Sequence, residues 1–192
     1  MQERVLLFPL KEEVSVSEYQ SESLEFTVIF ETYYKRIYNY ISYRVSCRYT
    51  TEDLTSQVFV KAMTKIDSYS PKKSPLEVWM FTIARNVVND YFRAQKRRNI
   101  FSIDVIKELV SSKKDPESLF ILGESNDKLQ MALNTLNARE RNMVALKFGA
   151  NLSNIQISEL VDLSESNVGV ILYRTMKKLK VQIENESVVD SK

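Results

Sequence analysis

Glycine and proline are so scarce in this chain, at three and four of 192 residues, that long uninterrupted helices are the structures it favours. Residues 79–98, WMFTIARNVVNDYFRAQKRR, contain neither residue and carry apolar side chains at helical spacing. The same spacing occurs over residues 24–45 and 50–66, and it returns in several segments of residues 127–185. Because no alternating strand pattern competes with it, the chain is predicted to be all-α.

Changes in composition divide the chain into five parts. Residues 1–20 are mixed and acidic and are predicted to form an N-terminal extension. Residues 99–126 hold Ser, Lys, Asp, a proline and a glycine, as a flexible linker does. The linker joins two small helical domains, residues 21–98 and residues 127–185, and residues 186–192 form a tail.

The absence of histidine and the presence of one cysteine exclude the common catalytic and metal-binding sets. No Ser-His or Cys-His pair can form, and Cys47 alone assembles neither a zinc site nor an internal disulfide. Acidic pairs such as Glu52–Asp53 have no converging partners in the sequence that would hold a cation. We therefore expect no enzymatic activity, no metal, no cofactor and no small-molecule substrate.

The apolar segments predict no direct membrane insertion. The longest, VLLFPL at residues 5–10, falls far short of the roughly 20 residues that a transmembrane helix needs. It also lacks the charged lead and the cleavage site of a secretion signal. A lone cysteine suits a reducing compartment, so the chain is expected to be cytoplasmic.

The helix predicted over residues 79–98 has a polar face without acidic residues. At about 100° per residue, this face covers an arc of about 120°, and the opposite arc is apolar. The polar arc holds basic, amide and hydroxyl side chains, with Asp90 and Trp79 at one border: Thr82, Arg85, Asn86, Asn89, Arg93, Lys96 and Arg97. Such donors bind phosphates and base edges, and Trp79 with the nearby Tyr69 suits stacking on unpaired bases. The alternative is a merely solvated face whose aromatic residues belong to the core.

A second candidate for nucleic-acid binding is SNIQISELVDLSESNVGVILYRTMKKLK, residues 153–180. It predicts a helix over residues 154–161, a tight turn in which Asp162 tolerates a left-handed backbone, and a longer helix capped by Ser164. One face of the longer helix is predicted to be core: Val168, Ile171, Leu172, Thr175, Leu179 and Ile183. The other face is predicted to meet a DNA major groove and its phosphates: Ser166, Asn167, Val170, Tyr173, Arg174 and Lys177.

The linker is long enough for both candidates to act on one duplex. Its 28 residues span up to about 90 Å when extended. Two sites separated by one and a half to two duplex turns lie about 50 to 70 Å apart. One chain can therefore hold two separate stretches of the same DNA.

These segments together resemble the sigma factors of the extracytoplasmic-function (ECF) group. The resemblance is carried by FETYYKRIYNYISYRV, TEDLTSQVFVKAM, WMFTIARN with DYFR, LNTLNARERNMVALKF and the helix-turn-helix, over residues 26–98 and 130–182. It implies a sigma-2-like helical bundle and a sigma-4-like helix-turn-helix domain. It also implies that core RNA polymerase (its clamp and flap), promoter DNA and an anti-sigma factor are partners. The implied function is that of an alternative sigma factor, which recognises minus-35 and minus-10 elements and promotes strand opening for transcription initiation.

The resemblance also implies roles for particular residues. Asp53, Leu54 and Gln57 match the polymerase-docking helix. The loop of residues 66–75 matches the segment that captures a flipped base. The minus-10 contacts are expected at Trp79, Arg85, Asn86, Asn89, Asp90, Arg93 and Arg97, and the minus-35 contacts at Ser166, Asn167, Val170, Tyr173, Arg174 and Lys177. The chain departs from the family at residues 169–171, where Gly-Val-Ile replaces a Lys-Ser-Arg-like trio, which puts base contacts there in doubt.

Two other classes of protein would also fit parts of this sequence. A helix-turn-helix repressor or activator would explain residues 127–185 but leave the acidic and aromatic features of residues 21–98 without a role. An interaction-only adaptor would keep the folds and lose the affinity for DNA. Copurification with core polymerase separates the first of these from a sigma factor, and a measurement of DNA affinity separates the second.

Overall fold

All regular secondary structure in the described part of the chain is helical. In a computed structural model, residues 16–103 and 124–189 are described, with side chains over residues 26–98 and 129–183. The helices are α1 (Val16–Val45), α2 (Arg48–Lys65), α3 (Leu76–Ile103), α4 (Glu124–Asn134), α5 (Ala138–Val144), α6 (Asn154–Val161) and α7 (Glu165–Val189). A 3-10 turn (Ile66–Ser68) follows α2, and a π-helical turn (Ala145–Gly149) continues α5. These residues contain no strand, and the all-α prediction is confirmed.

Four predicted boundaries differ from the observed helix ends, one of them at α4, which begins at Glu124, inside the predicted linker. α1 begins at Val16, inside the predicted extension, and α7 continues to Val189, inside the predicted tail. α3 continues to Ile103, so the linker is helical at its start, and the linker over residues 104–123 lies outside the described residues. Helix ends are poorly marked here because no glycine or proline follows the amphipathic pattern. The domain limits therefore stay predictions.

The chain divides into two compact units after residue 32. In the first unit the Thr32 hydroxyl donates to the Val28 carbonyl at 2.7 Å, and the Val28 side chain is exposed. Within the second unit we call residues 33–98 the first block and residues 129–183 the second block. The described helices include none with the length and hydropathy that crossing a bilayer demands.

The core of the first block is formed by one face of each of its helices. α2 packs along α3, and α1 meets them through aromatic side chains. The Tyr40 ring lies 6.0 Å from the Phe81 ring in an edge-on arrangement, and the Tyr34 ring lies 6.2 Å from the Phe59 ring. The apolar arc predicted for α3 is buried at Met80, Phe81, Ile83, Ala84, Val87 and Val88. Because this arc is buried, the opposite, polar arc of α3 points away from the core of the first block.

The second block has its own core, which side chains of α4, α5 and α7 form. Its members are Ala132, Leu133, Leu136, Val144 and Leu179. The predicted core face of α7 is buried at Val168, Leu172 and Thr175 and partly buried at Ile171. Ile183, by contrast, is 43% exposed, because the burial of α7 side chains ends at Leu179 among the described residues. Its prediction as a core residue is wrong.

The helix-turn-helix is confirmed in its local geometry. α6 has the predicted bounds, and Asp162 follows it with φ 54° and ψ 53°, in the left-handed region. The Asn167 N–H donates to the Ser164 hydroxyl at 3.3 Å, as a helix cap requires. α6 itself begins with a capping box of Ser153 and Gln156. Side chains at these few positions therefore fix both ends of the turn.

Glu140 is the titratable residue in the capping box that begins α5. Its carboxylate accepts hydrogen bonds from the Asn137 N–H at 2.9 Å and from the Lys178 ammonium at 3.0 Å, which hold the pKa of Glu140 below its ordinary value. Because the folded-state pKa is depressed, this stabilisation is present above the unfolded pKa of about 4.3 and is lost as pH falls through the folded pKa.

We expect Glu140→Gln to lower the melting temperature at neutral pH by about 2 °C, since the charge is lost while an oxygen acceptor remains. Below the folded pKa the wild-type carboxyl is protonated as well, so the two melting curves should coincide there. Thermal unfolding followed by circular dichroism across this pH range measures the difference. Glu159→Gln, at an exposed carboxylate of α6, is the matched control. A constant gap between wild type and Glu140→Gln at every pH would contradict the assignment.

Candidate nucleic-acid interface

The polar face of α3 is exposed at some of its positions and enclosed at others. Asn86, Asp90, Arg93 and Arg97 are exposed. The Arg93 guanidinium donates to the Asp90 carboxylate at 3.2 Å, but both side chains are more than half exposed, so water screens the pair. Arg93 therefore remains available to a phosphate group.

Trp79 and Tyr69, the predicted stacking surfaces, contact each other. Their ring centroids lie 5.2 Å apart with the planes tilted by 46°, and both side chains are partly buried. The Tyr69 hydroxyl donates to the Ser74 carbonyl at 3.2 Å, and the Lys73 N–H donates to the Ser70 carbonyl at 3.0 Å. These hydrogen bonds fold residues 66–75 into a compact loop at the start of α3, in which the Tyr69 ring packs against the Trp79 ring.

The predicted docking residues of α2 divide between surface and core. Asp53 and Gln57 are exposed, and the Gln57 amide donates to the Asp53 carboxylate at 2.9 Å. Leu54 is only 3% exposed and belongs to the core of the first block, and its role in docking stays a prediction.

Three apolar residues on the exposed face of α2 were not predicted from the sequence. Tyr49, Val60 and Met63 are 69%, 60% and 57% exposed. At 100° per residue they share a face with Asp53 and Gln57. Their spacing of eleven and three residues was visible in the sequence, but apolar side chains at such intervals are usually core. A surface that is both apolar and acidic indicates a protein partner rather than nucleic acid.

The outer face of α7 is open to solvent. All of its predicted DNA contacts are exposed: Ser166, Asn167, Val170, Tyr173, Arg174 and Lys177. Tyr173 is the most exposed of the apolar members, at 73%. Gly169 lies beside this face, and a Cβ built on it would meet only the Asn154 amide nitrogen, at 3.9 Å. Packing within the chain therefore does not require a glycine there.

The enclosed part of the α3 polar face lies beside the second block. Arg85 is partly buried and lines a cavity of about 210 Å³ with Arg139, Asn142, Met143, Val161 and Leu163. A larger groove of about 440 Å³ is lined by Arg44, Asn89, Phe92, Arg93, Lys96, Leu136, Ala138 and Arg141. No carboxylate lines either space among the described residues. Burial, and secondarily the charge of Arg44, lowers the pKa of Arg141.

Two family models match the chain. The model described as Sigma-70 region 2 matches residues 29–98, which contain the exposed face of α2 and the polar face of α3. The model described as Sigma-70, region 4 matches residues 126–179, which contain the helix-turn-helix. The two matches account for both blocks.

Two curated proteins match most of the chain's length at 28% and 25% sequence identity. The chain is 28% identical over 158 residues to the ECF RNA polymerase sigma factor BldN of Streptomyces coelicolor, a match covering 82% of the chain and 60% of that protein. It is 25% identical over 163 residues to the ECF RNA polymerase sigma factor SigX of Bacillus subtilis, covering 83% of the chain and 84% of that protein. The chain thus spans less than two thirds of the Streptomyces relative.

Solved structures share the fold. The sigma factor RpoE from Bartonella quintana, in complex with the anti-sigma factor NepR, aligns with a TM-score of 0.63 at 23% identity, over 88% of this chain and 98% of that one. CnrH, in complex with the cytosolic domain of CnrY, aligns with a TM-score of 0.62 at 16% identity, over 87% of this chain and 94% of that one. At these identities the alignments establish the helical fold alone.

Proposed function

This chain belongs to the extracytoplasmic-function group of the sigma-70 family, and from that membership we propose that it is an alternative sigma factor. It binds core RNA polymerase, recognises minus-35 and minus-10 promoter elements and promotes strand opening. The observation that carries the proposal is the presence, in one chain, of two outward helix faces rich in cations and amides. One lies on α3 in the region 2 match, and the other lies on α7 in the region 4 match.

The chain contributes positioning and no chemistry of its own, because the polymerase forms the phosphodiester bonds. The N-terminal residues of α7 enter the major groove of the minus-35 duplex, and its later basic residues meet phosphates. The polar face of α3, together with Trp79 and the loop of residues 66–75, holds the minus-10 strand once its bases leave the stack. Unstacking costs a few kcal/mol per step, and stacking and pocket contacts offset that cost.

Two protein partners follow from the same membership. The exposed face of α2, with Asp53, Gln57, Tyr49, Val60 and Met63, is the proposed contact with the polymerase clamp. The second block is the proposed contact with the flap. An anti-sigma factor is proposed as the regulator, since one structural neighbour, the sigma factor RpoE from Bartonella quintana, was solved in complex with the anti-sigma factor NepR.

Reconstitution with core RNA polymerase tests the proposal. Run-off transcription on genomic fragments should give discrete transcripts that core polymerase alone does not produce. Failure of the purified chain to bind core polymerase would overturn the proposal and favour a helix-turn-helix repressor or activator. Binding to polymerase without affinity for DNA would favour an interaction-only adaptor.

The basic residues of α7 should contact DNA phosphates and release counterions when the chain binds DNA. Each phosphate contact adds about 0.9 to the slope of log K against log salt concentration for duplex DNA. We expect Arg174→Ala with Lys177→Ala to reduce that slope for holoenzyme binding to a promoter by up to about two contacts' worth. Fluorescence anisotropy over a salt series measures it, with Lys61→Ala, at an exposed lysine of α2, as the single-charge control. An unchanged slope in the double variant would mean that these side chains face away from DNA.

A further inference from the structure

Val170 lies at the centre of the outer face of α7, and we propose that it reads a thymine of the minus-35 element by contact with the thymine C5-methyl group. Gly169, beside it, lets the helix approach the duplex closely enough for that contact. The proposal rests on the proposed function, because α7 must first lie in the major groove of the minus-35 duplex. It deepens that function by naming the base and the chemical group that this face distinguishes.

The Val170 side chain points away from the core of the second block. The buried Val168 and Leu172 each lie about 160° from it around the helix axis, and Val170 itself is 44% exposed. The other members of the outer face are exposed and extend about 60° to either side of it: Ser166, Asn167, Tyr173, Arg174 and Lys177. Val170 is therefore the side chain of this face that comes closest to the floor of a groove into which α7 docks.

A valine in this position can distinguish bases only through apolar contact. Its side chain has no donor or acceptor, so pressing it against a polar base edge removes water without replacing the lost hydrogen bonds. The C5-methyl of thymine is the apolar group that the four unmodified base pairs present in the major groove, and burying it against valine is favourable. The face therefore favours thymine opposite Val170, while Ser166 and Asn167 remain for hydrogen bonds to neighbouring bases.

The surroundings of Val170 favour DNA over a protein as the partner of this face. The outer face as defined above contains no carboxylate, and Glu165, in the first turn of α7, lies about 140° from Val170. Arg174 and Lys177 are exposed cations further along the same face, as contact with the phosphates beside a groove requires. A single aliphatic side chain among hydroxyl, amide and cationic groups suits a base edge, whereas a protein partner is indicated by a larger apolar patch.

Gly169 leaves space next to Val170 at the edge of the face. It lies about 100° from Val170 around the axis. A Cβ built on it would meet only the Asn154 amide nitrogen, at 3.9 Å, and the described glycines include none with positive φ. Neither packing nor backbone conformation therefore requires a glycine here, although glycine makes a helix less stable than alanine does. Close approach of the backbone to a ligand is the remaining use of glycine, and the duplex is the ligand of this face.

Deoxyuridine tests the methyl contact directly, because it pairs as thymine does and lacks only the C5-methyl group. Each thymine of the minus-35 element is replaced in turn, and holoenzyme binding to the promoter duplex is followed by fluorescence anisotropy. We expect one replacement to weaken wild-type binding about fourfold, as the loss of one buried methyl-sized group predicts. The same replacement should have no further effect in Val170→Ala. Val181→Ala, at a 48% exposed valine of α7 beyond the proposed DNA contacts, is the matched control and should keep the wild-type effect.

Gly169→Ala should change stability and promoter binding in opposite directions. The added methyl group favours the helix and meets no atom of the chain closer than 3.9 Å, so the melting temperature of the free chain should rise by about 2 to 4 °C. The same group should weaken promoter binding about fivefold or more, because it occupies space at the contact with DNA. Circular dichroism and anisotropy measure the two effects. Wild-type affinity in the stabilised chain would overturn the close approach at Gly169.

Three outcomes would count against the methyl contact. A holoenzyme that opens promoters but tolerates every deoxyuridine, or is weakened equally in Val170→Ala, would overturn the contact and leave the proposed function in place. Weaker holoenzyme assembly in Val170→Ala without a deoxyuridine effect would show that this face meets polymerase instead of a base. A wild-type chain that directs no promoter-specific binding at all would overturn the proposed function, and the methyl contact with it.

Discussion

Arg85→Ala combined with Asn86→Ala is expected to abolish open-complex formation while binding to core polymerase stays at the wild-type level. Both residues lie on the polar face of α3, whereas the face proposed to dock on polymerase lies on another helix, α2. Arg85 supplies a cation with several donors, and Asn86 supplies an amide that pairs with base edges. The neighbouring Val87 and Val88 are buried, so the backbone of α3 should stay in place when the two polar side chains are shortened.

The expected size of this effect follows from what the open strand requires. Unstacked bases must be held by contacts that replace a few kcal/mol of stacking per step. Each well-placed contact of this kind contributes about 1 to 3 kcal/mol. Losing the contacts of both residues therefore removes most of the energy that offsets unstacking. Permanganate reactivity of unpaired thymines measures opening, and electrophoretic mobility measures holoenzyme assembly. We expect reactivity to fall to the level of polymerase without the chain.

Two further variants make this experiment specific. Gln95→Ala removes an amide from the same helix outside the polar arc, where the Gln95 amide donates to the Tyr91 hydroxyl at 2.6 Å, and should open promoters normally. Arg85→Lys keeps the charge but loses the planar donor set, so it should retain partial opening. Wild-type reactivity in the double variant would remove α3 from the strand-binding role. Loss of holoenzyme assembly would instead show that the substitutions damage the first block.

Local signals explain why so much of the fold was predictable from the sequence. The capping side chains Ser153 and Ser164 and the left-handed Asp162 determine the helix-turn-helix within about a dozen residues, and α6 has the predicted bounds. The apolar arc of α3 was equally clear, because helical spacing marks which side of a helix is buried. Such information is contained within single helices and needs no knowledge of their neighbours.

The contact between the blocks was not predictable in the same way. Arg36 reaches the Ala150 carbonyl across 114 positions of sequence, and helical periodicity does not indicate which distant surface a face will meet. Gly149 appeared only as one of three glycines, and nothing in the sequence indicates that the Tyr40 backbone lies 3.0 Å from where its Cβ would be. Leu54 and Met63 of α2 illustrate the same limit. Both are apolar, and only packing distinguishes the buried one from the exposed one.

Phe81→Ala is expected to produce the largest loss of stability of any single substitution considered. Phe81 is fully buried, its ring meets that of Tyr40 at 6.0 Å, and the Arg36 guanidinium lies 5.4 Å from its ring centroid. Truncating a buried phenylalanine costs about 3 to 5 kcal/mol, because the apolar contact is lost and a cavity remains. Domains of this kind are stabilised by about 5 to 15 kcal/mol, so a large part of the total would be lost.

Urea unfolding at neutral pH measures this loss, and Phe148→Ala is the matched control. Phe148 is 50% exposed, so the same truncation there should cost less than about 1 kcal/mol. Because Arg36 rests on the Phe81 ring and donates to the Ala150 carbonyl, Phe81→Ala should also loosen the contact between the blocks before the first block unfolds. Energy transfer between dyes at Lys65→Cys and Glu159→Cys, in chains that carry Cys47→Ser, should then show the blocks of Phe81→Ala separating at a lower urea concentration than those of the wild type. Equal unfolding midpoints for Phe81→Ala and Phe148→Ala would mean that the buried arc of α3 does not organise the core of the first block.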